Sequence, residues 1–178
     1  MKKYFWLAAV LSFFALSANA QPGTVEPETS PMLGPAQLSQ EKWYESMEEA
    51  LAEPEKVYKL SLAGQKLKKL PPEIGELVNL QMLNLSENKL KFLPEEIKTL
   101  KKLQMISLYH NKLKQLPIEF RELSNLSSLY LGRNRLFTIP IWVGGIGKLR
   151  RLDISKNPIT PLEVGYVRRL LPNVELTY

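Results

Sequence analysis

Residues 80–102 read LQMLNLSENKLKFLPEEIKTLKK, and residues 103–125 read LQMISLYHNKLKQLPIEFRELSN. Laid over one another they agree at every apolar slot: Leu80 with Leu103, Leu83 with Ile106, Leu85 with Leu108, Leu90 with Leu113, Leu93 with Leu116, Ile97 with Phe120 and Leu100 with Leu123. The same seven slots are apolar in the units that start at Val57 and at Leu126, and a fifth, partial unit from Leu149 keeps Leu152, Ile154 and Ile159. A fixed period in the range of about 20 to 50 residues marks a chain that coils and stacks on itself. One such unit cannot bury its own apolar face, so neighbouring units must share a core.

Each slot carries its own physical instruction. Leu83-x-Leu85 alternates with period two, which predicts a short strand, and copies stacked at about 4.8 Å predict a parallel sheet with the leucines inside. Asn88, Asn111, Asn134 and Asn157 recur where the chain leaves the strand, and Gln65 takes that slot in the first unit. A bend there leaves backbone donors and acceptors inside the coil, and an amide side chain can satisfy both kinds, so a ladder of asparagines is expected. Pro71, Pro94, Pro117 and Pro140 follow. Their fixed φ begins a return arm, with a short helical turn on the outer face. The fourth unit departs from the others, with Ile141-Trp142 in place of Glu95-Glu96 and Gly144-Gly145 further on, so an irregular outer face is expected there, with Trp142 packed over the glycines.

With these slots in view, residues 57–178 resemble a leucine-rich-repeat domain. The arms Leu70–Leu77, Leu93–Leu100 and Leu116–Leu123, of the form L-P-x-x-I-x-x-L, resemble the subclass found in Ras suppressor and plant intracellular Ras-group-related proteins. The resemblance implies an α/β solenoid: a right-handed coil with a short parallel sheet on its concave side and a role in protein recognition, with no particular partner.

Outside residues 57–159 the pattern changes. Met1–Ala20 has Lys2 and Lys3, an apolar run from Tyr4 to Leu16 and a closing Ala18-Asn19-Ala20, the three parts of a secretory signal peptide cut before Gln21. Its apolar run is shorter than the roughly 20 residues that span a bilayer, and no later stretch is long and apolar enough. The expected product is exported to a periplasm or the medium, without membrane insertion once the signal is removed. Residues 21–37 hold four prolines and two glycines and read as a disordered tether. Residues 38–56 read as an N-terminal capping helix over Gln40–Ala52, with Ser39 as N-cap, a Leu38–Trp43 staple and a stripe of Trp43, Met47, Ala50 and Leu51. Residues 160–178 read as a C-terminal cap: Thr160-Pro161-Leu162-Glu163 is a capping box opening a helix to Leu171, with Leu162, Val167, Leu170 and Leu171 covering the last coil, and Val174-x-Leu176 a final partial strand. The solenoid is expected to end there.

Strand residues that alternate with the leucines must face the concave side in columns. These are Met82, Met105, Ser128 and Arg151; Asn84, Ser107, Tyr130 and Asp153; and Glu87, His110, Arg133 and Lys156, with Tyr109 and Ser86 alongside. Tyrosine, methionine, arginine and histidine are interface-enriched types, so Met82, Met105, Tyr109, His110, Tyr130, Arg133, Arg151 and Asp153 are the candidate partner-binding residues. Five or six strands make a sheet about 20 to 25 Å wide, enough for one patch of about 800 Å². The competing reading is a solvated face.

Composition narrows the function. The formal charge of +6 falls to +4 once Lys2 and Lys3 leave, and the basic residues alternate with glutamates, which argues against nucleic acid. Lys68-Lys69 and Lys101-Lys102 read as solvated coil positions. Without cysteine there is no disulfide or thiolate chemistry. His110 is the single histidine; it could meet Ser107 or Ser86 with Glu87, but neither a nucleophile elbow nor an oxyanion hole accompanies it, so no catalysis, cofactor or metal is expected. The expectation is a non-catalytic module that binds a protein through its concave sheet. The alternatives are glycan or peptidoglycan recognition by the tyrosines, and weak self-association through a convex Ile141/Trp142 patch.

Overall fold

The computed structural model describes residues 31–178; the predicted signal segment and residues 21–30 of the tether lie outside the described residues. The repeats form one sheet of six parallel strands in sequential order. They are β1 (Lys59–Ser61), β2 (Met82–Asn84), β3 (Met105–Ser107), β4 (Ser128–Tyr130), β5 (Arg151–Asp153) and β6 (Glu175–Thr177). Register follows the period, with Leu60 beside Leu83, Leu83 beside Ile106, Ile106 beside Leu129 and Leu129 beside Leu152. All five are at most 1% exposed. Each buried side chain of this size contributes on the order of 1.5 to 3 kcal/mol, so repetition is what builds a core.

The return arms are 3₁₀ turns at Pro72–Glu76, Glu95–Thr99, Ile118–Glu122 and Ile141–Gly145, each entered by an extended proline at Pro71, Pro94, Pro117 or Pro140. The fourth turn is as regular as its neighbours, contrary to expectation, because Val143 and Ile146 fill the same inward slots. Trp142 is half-buried against the core. Gly144 is required by a neighbour: a Cβ there would stand 2.7 Å from Cδ1 of Leu170, in the C-terminal helix.

The asparagine column makes the bonds its chemistry calls for. Asn111 donates from Nδ2 to the carbonyls of Leu85 at 2.9 Å and Leu108 at 3.1 Å, and its Oδ1 accepts from the Leu90 amide at 3.0 Å. Asn88, Asn134 and Asn157 repeat the pattern, each reaching back to the preceding coil. Gln65, with no coil before it, donates instead to the Glu45 carbonyl of the N-terminal cap at 2.7 Å.

The N-terminal cap differs from the predicted single helix. Two six-residue helices, α1 (Pro35–Gln40) and α2 (Met47–Ala52), flank an extended stretch, and α1 starts inside the segment read as tether. Ser39 lies within α1 and donates to the Ala36 carbonyl, whereas Ser46 caps α2 by accepting from the Glu49 amide at 3.1 Å. The reason is the open edge of β1. Tyr44 donates its amide to the Lys59 carbonyl at 3.0 Å and accepts from the Ser61 amide at 2.8 Å, satisfying edge groups that a helix would leave bare. Tyr44 is buried in consequence, and Trp43 is turned out of the predicted stripe.

At the other end α3 (Pro161–Leu170) begins at Thr160, whose Oγ1 accepts from the Glu163 amide at 3.3 Å. The Glu163 carboxylate does not close the box; it accepts from the Ile139 amide at 3.0 Å, satisfying a donor in the fourth repeat. Val167 and Leu171 cover the last coil, but Leu162 is 81% exposed and does not.

Lys102 also corrects the sequence reading. Lys101 is exposed and pairs with Glu122 at 2.7 Å, but Lys102 is buried and donates to Asn79 Oδ1 at 2.7 Å. One double period on, Lys148 donates to Asn125 Oδ1 at 2.6 Å. An alternating Asn–Lys column thus runs along the solenoid, visible only at twice the repeat length.

Candidate functional site

The concave face is built by three-residue strands whose middle residue points inward and whose outer two line the concave side; Lys59 and Ser128, at two of these outer places, are buried, so Ser128 offers no exposed surface in its column. Between them lies a groove of about 490 Å³ lined by Trp43, Met82, Leu83, Asn84, Ser86, Met105, Ser107, Tyr109, Tyr130 and Asp153. Five of the eight predicted residues meet in it: Met82, Met105, Tyr109, Tyr130 and Asp153. Arg151 lies outside, exposed, lining a smaller hollow with Asp153, Glu175 and Thr177.

The third predicted column is not part of the strands. Glu87, His110, Arg133 and Lys156 have φ between 54° and 58°, the left-handed region, and Gly64 holds the equivalent place at 70°. They make the bend that delivers the next asparagine inward, so their side chains leave along the rim. His110 and Arg133 touch the groove through Tyr109. The two rings of Tyr109 and His110 meet edge to face at 6.3 Å between centroids, and the Arg133 guanidinium lies 5.9 Å from the Tyr109 ring centre.

Two residues of the site were not read from the sequence. Trp43 walls the N-terminal end of the groove, with Lys59 Nζ 5.4 Å from its ring. Its helical spacing with Met47 and Ala50 pointed to a packed stripe, and only the demand of the β1 edge overrides that signal. Gly132 is the second. A Cβ there would stand 2.7 Å from Asp153 Oδ2, 2.9 Å from Ser155 Oγ and 3.0 Å from Tyr109 Cδ2, so the bare backbone makes room for all three. A glycine where Ala63, Ser86, Tyr109 and Ser155 stand in the other repeats was the available sign.

Local hydrogen bonds fix the polar groups. Asp153 Oδ1 accepts from the Ser155 amide at 2.8 Å. Asn84 Oδ1 does the same three repeats earlier, accepting from the Ser86 amide at 3.1 Å and its hydroxyl at 2.7 Å. Among the described residues no hydrogen bond joins His110 to Ser107, Ser86 or Glu87, and no group of three or more His, Cys, Asp or Glu side chains could hold a metal. No helix among them is long and apolar enough to cross a membrane. What this arrangement offers is an open aromatic and thioether surface on a rigid sheet.

The leucine-rich-repeat family model matches residues 55–113. Among solved structures, a leucine-rich-repeat protein of Leptospira interrogans is 38% identical, with a TM-score of 0.70 over 76% of this chain and 35% of its own. TLR13, in complex with ssRNA13, is 26% identical, with a TM-score of 0.62 over 75% of this chain and 20% of its own. The plant peptide hormone receptor RGFR1, in complex with RGF2, is 34% identical, with a TM-score of 0.53 over 66% of this chain and 20% of its own. The chain therefore spans between a fifth and about a third of the length of these relatives. No curated protein matches it.

Proposed function

The chain is a leucine-rich-repeat protein, and we propose that it works as an exported, non-catalytic module that binds a protein segment in its concave groove. The observation that carries this is the lining of the groove. Met82, Met105, Tyr109, Tyr130 and Trp43 converge on solvent at positions where the core requires nothing of them. Rigid aromatic and adaptable thioether surfaces of this kind are the usual anchors of a binding patch. RGFR1, which shares the coil, is a peptide hormone receptor, and its likeness supports a peptide or protein occupant. Nucleic acid fits less well, since Asp153 is the single charged side chain of the lining.

A photoreactive residue placed at Tyr130 should trap a protein in the native cell, while one at Glu96 on the convex arm should not. Equal trapping at both positions, or adducts with cell-wall glycan at Tyr130, would count against a protein occupant. Export is tested separately, by finding Gln21 at the N-terminus of the mature chain.

Self-association keeps one supporting observation: Ile118 and Ile141 stand at the same repeat position in adjacent coils and are 55% and 71% exposed. Light scattering of the wild type against Ile141→Ser decides it, a monomer in both cases disposing of the idea.

A further inference from the structure

We propose that Asp153 is the specificity anchor of the groove, seating the lysine or arginine of an extended peptide whose apolar residues lie over Met105, Met82 and Trp43. The inference rests on the concave-groove reading above and adds the chemistry of the occupant.

The charge at Asp153 has no structural duty. Its local bond to the Ser155 amide needs an acceptor only, and at the equivalent place in the second repeat Asn84 supplies the same bond with a neutral amide. The ion pairs among the described residues join Lys42 to Glu49, Lys56 to Glu53, Lys98 to Glu95 and Lys101 to Glu122, and none involves Asp153. It is the one charged side chain in a lining otherwise made of aromatic, thioether, aliphatic, hydroxyl and amide groups.

Geometry places a cation there. Asp153 is register-paired with Tyr130 on the neighbouring strand. Its second oxygen looks across Gly132, whose missing side chain leaves open the space toward the Tyr109 ring. A carboxylate flanked by two tyrosines matches a guanidinium or ammonium, which is attracted both by the charge and by the ring faces. Met82 lies three strand spacings from Asp153, on the order of 14 Å, with Trp43 closing the groove beyond it. An extended segment of about four or five residues spans that distance. Arg133 stands outside the lining, on the rim, and Arg151 lines the separate hollow between Asp153 and β6.

The test uses the full chain and a displayed library of random dodecapeptides. Enrichment of peptides with one Lys or Arg beside apolar residues is expected. Their affinity should fall roughly 10- to 100-fold in Asp153→Asn, as for loss of a charge-assisted contact. The asparagine has a precedent at Asn84, and an unchanged melting temperature verifies the fold. Peptides without a basic residue, acidic peptides, or basic peptides indifferent to Asp153→Asn overturn the anchor while leaving the groove as the binding surface. Peptides unaffected by Ser107→Trp, which fills the groove, or a library that yields no binder, overturn the groove and the anchor together.

Discussion

At the scale of single residues the coil is held by an asparagine ladder whose carbonyl acceptors are shared between successive rungs and whose amide donors are not. Truncating Asn111 leaves the Leu90 amide unmatched inside the solenoid and takes one of two donors from the Leu85 and Leu108 carbonyls, which keep Asn88 and Asn134. Asn111→Ala should cost about 1 to 3 kcal/mol in chemical denaturation, a buried unsatisfied group being the penalty. Lys102 gives a pH signature. Burial lowers the pKa of its ammonium below 10.5, so between that lowered value and 10.5 the unfolded chain binds more protons than the folded one. Stability should therefore rise with pH across this window, and the rise should vanish in Lys102→Met when urea midpoints are compared. Lys42 and Lys56, whose pKa values are raised first of all by the hydrogen bonds they donate to Glu49 and Glu53, act elsewhere: their contribution is intact below 10.5 and is lost as pH passes their folded values. The asparagine slot was legible because its period equals the repeat. Lys102 was not, because a Lys-Lys pair looks solvated until its partner one coil back is known.

At the scale of elements the two ends are where local signals compete with neighbours. The spacing of Trp43, Met47 and Ala50 favours a helix, and Tyr44 is nevertheless extended, because β1 offers two edge hydrogen bonds that no helical residue could take. Thr160 was read correctly as a cap, whereas the Glu163 carboxylate reaches Ile139 instead of closing its own box. The docking of α3 yields a paired prediction. Gly144→Ala should loosen α3 in hydrogen exchange and cost about 1 to 3 kcal/mol, since its Cβ would overlap Leu170. Gly145→Ala meets nothing within 4 Å and should leave α3 unchanged, so equal effects would refute the packing account.

At the scale of the molecule a single core runs through every coil, so damage in one place is felt in all. Leu129 is fully buried between its register partners Ile106 and Leu152. Leu129→Ala should destabilise by about 2 to 5 kcal/mol through lost burial and a residual cavity. The midpoint should fall by the same amount whether followed by circular dichroism or by tryptophan emission, with the denaturant slope unchanged. Two separated transitions would show that the coils do not share one cooperative core.

The sequence by itself determined the repeating coil: period, inward slots, asparagine ladder, the sheet and the face it presents. It could do so because stacking identical units turns a one-dimensional spacing into a three-dimensional address. Tertiary structure alone decided what lies at the edges of that repetition. Trp43 became a wall of the groove because an unpaired strand edge captured Tyr44. Glu87, His110, Arg133 and Lys156 became rim residues because the bend, not the strand, owns their backbone. Asp153 became a carboxylate outside the ion pairs of the described residues because its neighbours, known only once the chain is coiled, ask of it no more than an acceptor for the Ser155 amide.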